Sequence, residues 1–256
     1  MTAATLLRSS LPMRLARLLR RAAERLEPPS TLLLPAANEA EAAPNAPSCV
    51  RFFDSFASQY DEGAARAWPI KRYVSQEVAD LGRKFQSALV VGVGTGQELE
   101  PLFLNEVSDV EAIDVSENML HEAREKYPNV NYHCADFLTF TGFKRRSYEL
   151  ILCCGVLEYV EDLPAFMQKA SGLLSPGGLI FLTFTPILPS HPLQYEETTR
   201  HSDYLDFRMH RYSFEHFYSV MQSCELSLRK CFTFNCHIDA NLGITNICFF
   251  CVLEKP

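Results

Sequence analysis

Two hydrophobic rhythms take turns along the chain. Short apolar runs bounded by turn-forming residues recur at Ala88 to Val93, Glu111 to Val115, Val130 to Cys134, Leu150 to Cys154 and Leu179 to Phe184, the form of buried strands. Helix signals separate them. Ser116 is a suitable N-cap for a helix running to about Lys126, and Asp162 followed by Pro164 opens a second, ending near the turn Ser175-Pro176-Gly177-Gly178. Ser213 opens a third, running to about Cys224. Strand and helix in alternation need crossover connections, which predicts an α/β fold with a parallel sheet. Leu226 to Phe234 and Ile244 to Leu253 read as a closing antiparallel pair.

The first residues follow a different pattern. Leu11, Leu15, Leu18 and Ala22 recur at helical spacing, with Arg14, Arg17, Arg21 and Arg25 on another face, which predicts a basic amphipathic helix over residues 10–26. Six arginines against the single Glu24 give residues 1–26 a charge of +5, so the rest of the chain carries −12 of a total of −7. An acid-poor, Arg- and Ser-containing start has the form of a mitochondrial transit peptide. The expected location is nonetheless cytoplasmic, with the basic helix packing on the domain or making peripheral contacts, and mitochondrial targeting through the Arg-rich segment is the alternative. Residues 27–49, with five prolines among Ala, Asn and Glu, read as a linker, and residues 50–256 as the folded domain.

Composition narrows the function classes. In 256 residues no apolar run reaches the roughly 18 needed to span a membrane. An acidic surface argues against a nucleic-acid partner, because phosphates are gripped by clustered Lys and Arg. The nine cysteines include adjacent Cys153 and Cys154 and no repeated CxxC at zinc spacing. Cys248 and Cys251 form one CxxC, in a strand-like run where residues three apart point to opposite faces. The cysteines therefore read as reduced core residues, with no metal expected.

The candidate chemistry begins at Leu89-Val90-Val91-Gly92-Val93-Gly94-Thr95-Gly96-Gln97, a glycine-rich turn between strand and helix, where bare backbone approaches a ligand. A dinucleotide GxGxxG would need glycine at Gln97. Asp114, at the end of the second strand, is placed to accept hydrogen bonds from two vicinal ribose hydroxyls. Asp136, after the third strand and beside the apolar Phe137, is placed to hold an adenine amino group.

These motifs belong to a longer ordered set: Phe53-x-x-x-Ala57-x-x-Tyr60-Asp61, the glycine loop, Ile113-Asp114-x-Ser116-x-x-Met119-Leu120, Ala135-Asp136, Gly155-Val156-Leu157-Glu158-Tyr159-Val160 and Leu174-Ser175-Pro176-Gly177-Gly178. Together they resemble the class I S-adenosylmethionine-dependent methyltransferases of small molecules, similar to the ubiquinone and menaquinone biosynthesis group, over about residues 50–185. The resemblance implies a Rossmann-like, seven-stranded, mostly parallel sheet with helices on both faces and the last strand antiparallel. It implies S-adenosyl-L-methionine as cofactor, with Gly92, Gly94 and Gly96 along its methionine and ribose part, Asp114 on the ribose, Met119, Asp136 and Phe137 at the adenine, and Tyr60 at the methionine end. Val90 departs from the family, which commonly has Asp or Glu there, and Gly155 stands where a polar residue is frequent.

Methyl transfer is an in-line displacement, so the protein mainly aligns and desolvates the acceptor. Glu158 and Tyr159 are candidates to assist it. Residues 185–212 are long and aromatic for a connection, which predicts a lid or substrate wall, with His210 the candidate base. The chain has no Pro-Pro-aromatic element after the fourth strand, the element that stacks a flipped base, which favours a small-molecule acceptor. Val90 and the basic extension motivate a second reading, a catalytically silent cofactor-binding adaptor; a nucleotide-dependent oxidoreductase is a third.

Overall fold

The computed structural model describes residues 48–62, 68–192, 194, 196, 198–200, 208–239 and 244–256. The basic segment 1–26 and the linker up to residue 47 lie outside the described residues. So do Tyr195, Glu197, His201, Asp203, Tyr204 and Asp206 of the expected lid.

Five parallel strands, β1 (Ser87–Val91), β2 (Asp109–Asp114), β3 (Asn131–Cys134), β4 (Tyr148–Cys153) and β5 (Leu174–Phe184), join β8 (Ser227–Asp239) and β9 (Ile244–Glu254) in one sheet of order β3-β2-β1-β4-β5-β9-β8. β9 is antiparallel to both its neighbours. The architecture is thus the Rossmann-like sheet expected, with its last strand reversed. A second, two-stranded sheet pairs β6 (Thr198–Arg200) with β7 (Arg208–His210).

Alternation along the strands divides the core between two faces. Leu89, Val91, Ile151, Cys153, Ile180 and Leu182 pack towards α5 (Leu163–Gly172) and α6 (Phe214–Ser223). Ala88, Val90, Leu150, Leu152, Leu179 and Phe181 pack towards α2 (Ile70–Leu81) and α3 (Leu99–Leu104). Cys251 and Cys248 fall on these opposite faces, Cys251 with its sulfur 3.3 Å from that of Cys231. Among the described residues no helix is long and apolar enough to cross a membrane.

Capping sets the helix starts as the sequence predicts. Ser116 Oγ accepts from Met119 N at 3.1 Å at the head of α4 (Glu117–Lys126), Asp162 Oδ1 from Ala165 N at 2.9 Å, and Ser213 Oγ from His216 N at 3.1 Å. Two boundaries differ from the expectation. α1 (Ser48–Asp54) begins inside the expected linker. The Ser175-Pro176-Gly177-Gly178 element is a bulge inside β5 rather than a turn before it, because Lys255 N and O bond Gly178 O and Gly177 N at 3.1 and 2.8 Å and keep it in the sheet.

Candidate active site

At the carboxyl edge the chain leaves β1 through Gly92, Gly94 and Gly96, with φ of +66°, +51° and +91°, a left-handed path that favours glycine. Gly92 N–H donates to Ile113 O on β2 at 2.8 Å. Gly94 N–H donates to Asp114 Oδ2 at 2.8 Å, and Ser116 N–H to Asp114 Oδ1 at 2.9 Å. The glycine loop and the strand-end carboxylate therefore form one structure. Backbone N–H groups of Ser116, Gly94 and Val115 act on the carboxylate and leave part of its roughly four lone-pair positions open. Burial raises the pKa of Asp114, against the pull of those N–H groups.

Residues 48–62 lie across this edge and touch the ends of several strands. Near the end of β3, Cys49 lies within electrostatic reach of Asp136 and Asp114. At the end of β2, Asp54 Oδ1 accepts from Ser116 Oγ and from Asn118 N at 3.3 Å. At the glycine loop, Asp61 Oδ1 accepts from Thr95 Oγ1 at 2.6 Å and Gln97 Nε2 at 2.7 Å, while Asp61 Oδ2 pairs with Lys126 Nζ. Burial works to raise Asp61, and those hydrogen bonds hold it below the usual carboxylate range. Phe52, Phe56, Ala57 and Met119 form a small apolar core beneath this strap, joined by Tyr60 and Tyr159. Tyr60 faces Glu98, Asp114 and Asp61, and burial first, then these acids, raise its hydroxyl pKa.

Two carboxylates thus clamp the strap over the crevice. Asp61→Asn should weaken the clamp by about 1 kcal/mol, the scale of a part-exposed charge-assisted hydrogen bond. Amide hydrogen exchange of residues 55–62 should quicken while that of the β-sheet stays unchanged; unaltered exchange at the strap would remove the clamp role.

The structure separates the expected adenine residues. Asp136 is exposed, its Oδ1 accepting from Leu138 N at 2.6 Å. The ring of Phe137, by contrast, is buried against Phe166 with centroids 4.9 Å apart, and so serves the α5 face of the core. Met119 packs under the strap.

At the end of β4, Gly155 (φ +72°) donates its N–H to Thr183 Oγ1 at 2.7 Å. The following 3-10 turn, Leu157–Tyr159, buries Glu158, whose Oε1 accepts from Thr185 Oγ1 at 2.9 Å. Tyr159 meets Phe53 edge to face at 5.2 Å. β7 lies beside this turn, yet His210 faces Glu161 and Arg208, and burial lowers its pKa. The residue that faces Glu158 is the next one, Arg211, buried and lowered by burial against the opposing pull of Glu158 and Glu196. Gln194 anchors the expected lid, exchanging hydrogen bonds with the Ile247 backbone at 2.8 Å in each direction.

Asp54 and Glu98 are not marked as site residues by any motif in the sequence, and Arg211 falls within the expected substrate wall. Of the two acids, only Glu98 carries a local signal, directly after the glycine loop.

The methyltransferase domain family matches residues 89–182, the stretch holding the glycine loop, Asp114, Asp136 and the Glu158 turn. That stretch resembles a methyltransferase domain. Among curated proteins, the ubiquinone biosynthesis O-methyltransferase of Coxiella burnetii is 28% identical over 116 residues, 44% of this chain and 47% of the relative. The demethylmenaquinone methyltransferase of Chlorobaculum parvum is 26% identical over 148 residues, 55% and 61% of the two chains. The chain thus spans about half the length of these relatives. A solved S-adenosylmethionine-dependent methyltransferase from Clostridium acetobutylicum superposes with a TM-score of 0.59 at 17% identity, over 79% of this chain and 98% of that one, and shares the fold.

Proposed function

We propose that the chain binds S-adenosyl-L-methionine across the ends of β1, β2 and β3 and transfers its methyl group to a small-molecule acceptor. The observation that carries this reading is the bond from Gly94 N–H to Asp114, which sets a bare glycine backbone and a carboxylate on one crevice. The residues fit the group. Asp114 keeps lone-pair capacity for a ribose hydroxyl, a Cβ built on Gly94 would meet nothing within 4 Å, and the exposed Asp136 offers an acceptor for an amino group.

When bound, the cofactor supplies a methyl carbon activated by a sulfonium. The chain's own work is to hold and orient. Gly92, Gly94 and Gly96 present backbone, Tyr60 and the strap exclude water, and Met119 supports the strap from below. Glu158, fixed by Thr185, is the first choice to take a proton from the acceptor; Tyr159 walls the same turn, and His210 flanks it. The relatives named for ubiquinone and menaquinone pathways make a quinone-like acceptor the first to try.

Asp114→Ala should weaken S-adenosylmethionine binding by about 1–3 kcal/mol, since it strands the ribose hydroxyls and Gly94 N–H. Isothermal titration measures this, and unchanged affinity would remove the ribose role. Incubation with labelled cofactor and a metabolite extract tests transfer; tight binding with no labelled product would favour a silent binder.

A further inference from the structure

The crevice contains one buried acid that the reading above leaves without a role. Glu98 follows the glycine loop at the head of α3, yet its side chain does not cap that helix. It is 5% exposed. Its carboxyl meets its own backbone N–H, and among the described residues no lysine, arginine or histidine is paired with it. The titratable groups that face it are Asp114 from β2, the Tyr60 hydroxyl from the strap, and Cys153 and Cys154 from the end of β4. All are acids or weak acids. A carboxyl held from water without a counter-charge is expensive in a fold unless a ligand supplies the charge. At the other end of the same loop, position 90 offers no acid: Val90 is buried between Ala112 and Leu152.

We infer that Glu98 is the counter-charge for the α-ammonium group of the cofactor's amino-acid half. This rests on the crevice being the S-adenosylmethionine site. The cofactor is the one cationic partner that the reading above brings to this crevice.

The assignment has a thermodynamic signature. Burial and then the Asp114 charge push Glu98 up to about 8, so near pH 6.5 the empty protein holds it mostly protonated. An ammonium group at hydrogen-bond distance favours the ionised form. Binding therefore converts the carboxyl and the ammonium into an ion pair and releases the carboxyl proton to solvent. At that pH the ligand's own amino group is already protonated, with an ordinary pKa of about 7.7–8.0. Proton release then reports Glu98.

Calorimetry on the full chain in two buffers of different ionisation enthalpy should show proton release when S-adenosylhomocysteine binds, and none when 5′-methylthioadenosine binds, since that nucleoside lacks the amino-acid half. Glu98→Gln, which resembles the protonated side chain and preserves the fold, should weaken S-adenosylmethionine and S-adenosylhomocysteine by about tenfold or more. It should leave methylthioadenosine unchanged and remove the proton release. Equal weakening of all three ligands would make Glu98 merely structural and overturn the inference, as would unchanged affinity for all three. A wild-type chain that binds none of them overturns the cofactor reading itself, and this inference with it.

Discussion

Gly92→Ala should lower folding stability by about 2–5 kcal/mol and abolish measurable cofactor binding. Two effects combine. Gly92 has φ +66°, where a side chain adds roughly 1–2 kcal/mol of steric strain. A Cβ there would also stand 2.4 Å from Val156 Cγ2, inside any real contact distance, so the Val156 side chain must give way. Overpacking of this kind costs about 1–3 kcal/mol. Urea unfolding measures the loss. The double variant Gly92→Ala with Val156→Ala should recover the overpacking part and keep the strain; no recovery would show that the clash is relieved elsewhere.

Glu111→Ala should destabilise the fold by about 3–5 kcal/mol without changing any residue of the crevice. Glu111 lies in β2, fully buried, and its carboxylate accepts from Tyr148 Oη, from His133 Nε2 at 2.8 Å, from Asn131 Nδ2 at 3.0 Å and from Lys144 N at 3.1 Å. Removing it strands several donors at once, the buried Tyr148 hydroxyl among them. Burial works to raise Glu111, and these donors hold it below its ordinary value of 4.5. A depressed carboxylate stabilises the fold fully above its unfolded value and loses that contribution as pH falls through the folded one. The stability gap between wild type and Glu111→Gln should therefore be widest at neutral pH and narrow below about pH 4. A gap that stays constant on acidification would mean that Glu111 is not the group being titrated.

What could be read from the sequence was what is decided locally. Ser116, Asp162 and Ser213 mark helix starts because each caps an amide three residues on, and β1 declares itself because both its faces are buried. Gly94 and Asp114 could be paired in advance because the loop and the strand end are adjacent in any such sheet. The strap was different. Its seat depends on Asp54 meeting Ser116 and Asp61 meeting Thr95, contacts 62 and 34 residues apart, and no local pattern encodes them. At Phe137 local and tertiary signals diverge: an aromatic beside a site carboxylate has the form of a ligand wall, and the fold packs this ring against Phe143 and Phe166 in the core. The Pro176-Gly177-Gly178 bulge has the composition of a turn, and the backbone bonds to Lys255 hold it in the sheet.

The position of β9 also governs how this fold is assembled. It is made after β8 yet lies between β8 and β5, so β5 keeps an open edge until residues 244–254 have been synthesised and threaded into place. Until then Phe181 and Phe184, on the two faces of β5, lack the neighbouring strand that covers them, and that open edge is the part of the nascent sheet most exposed to association.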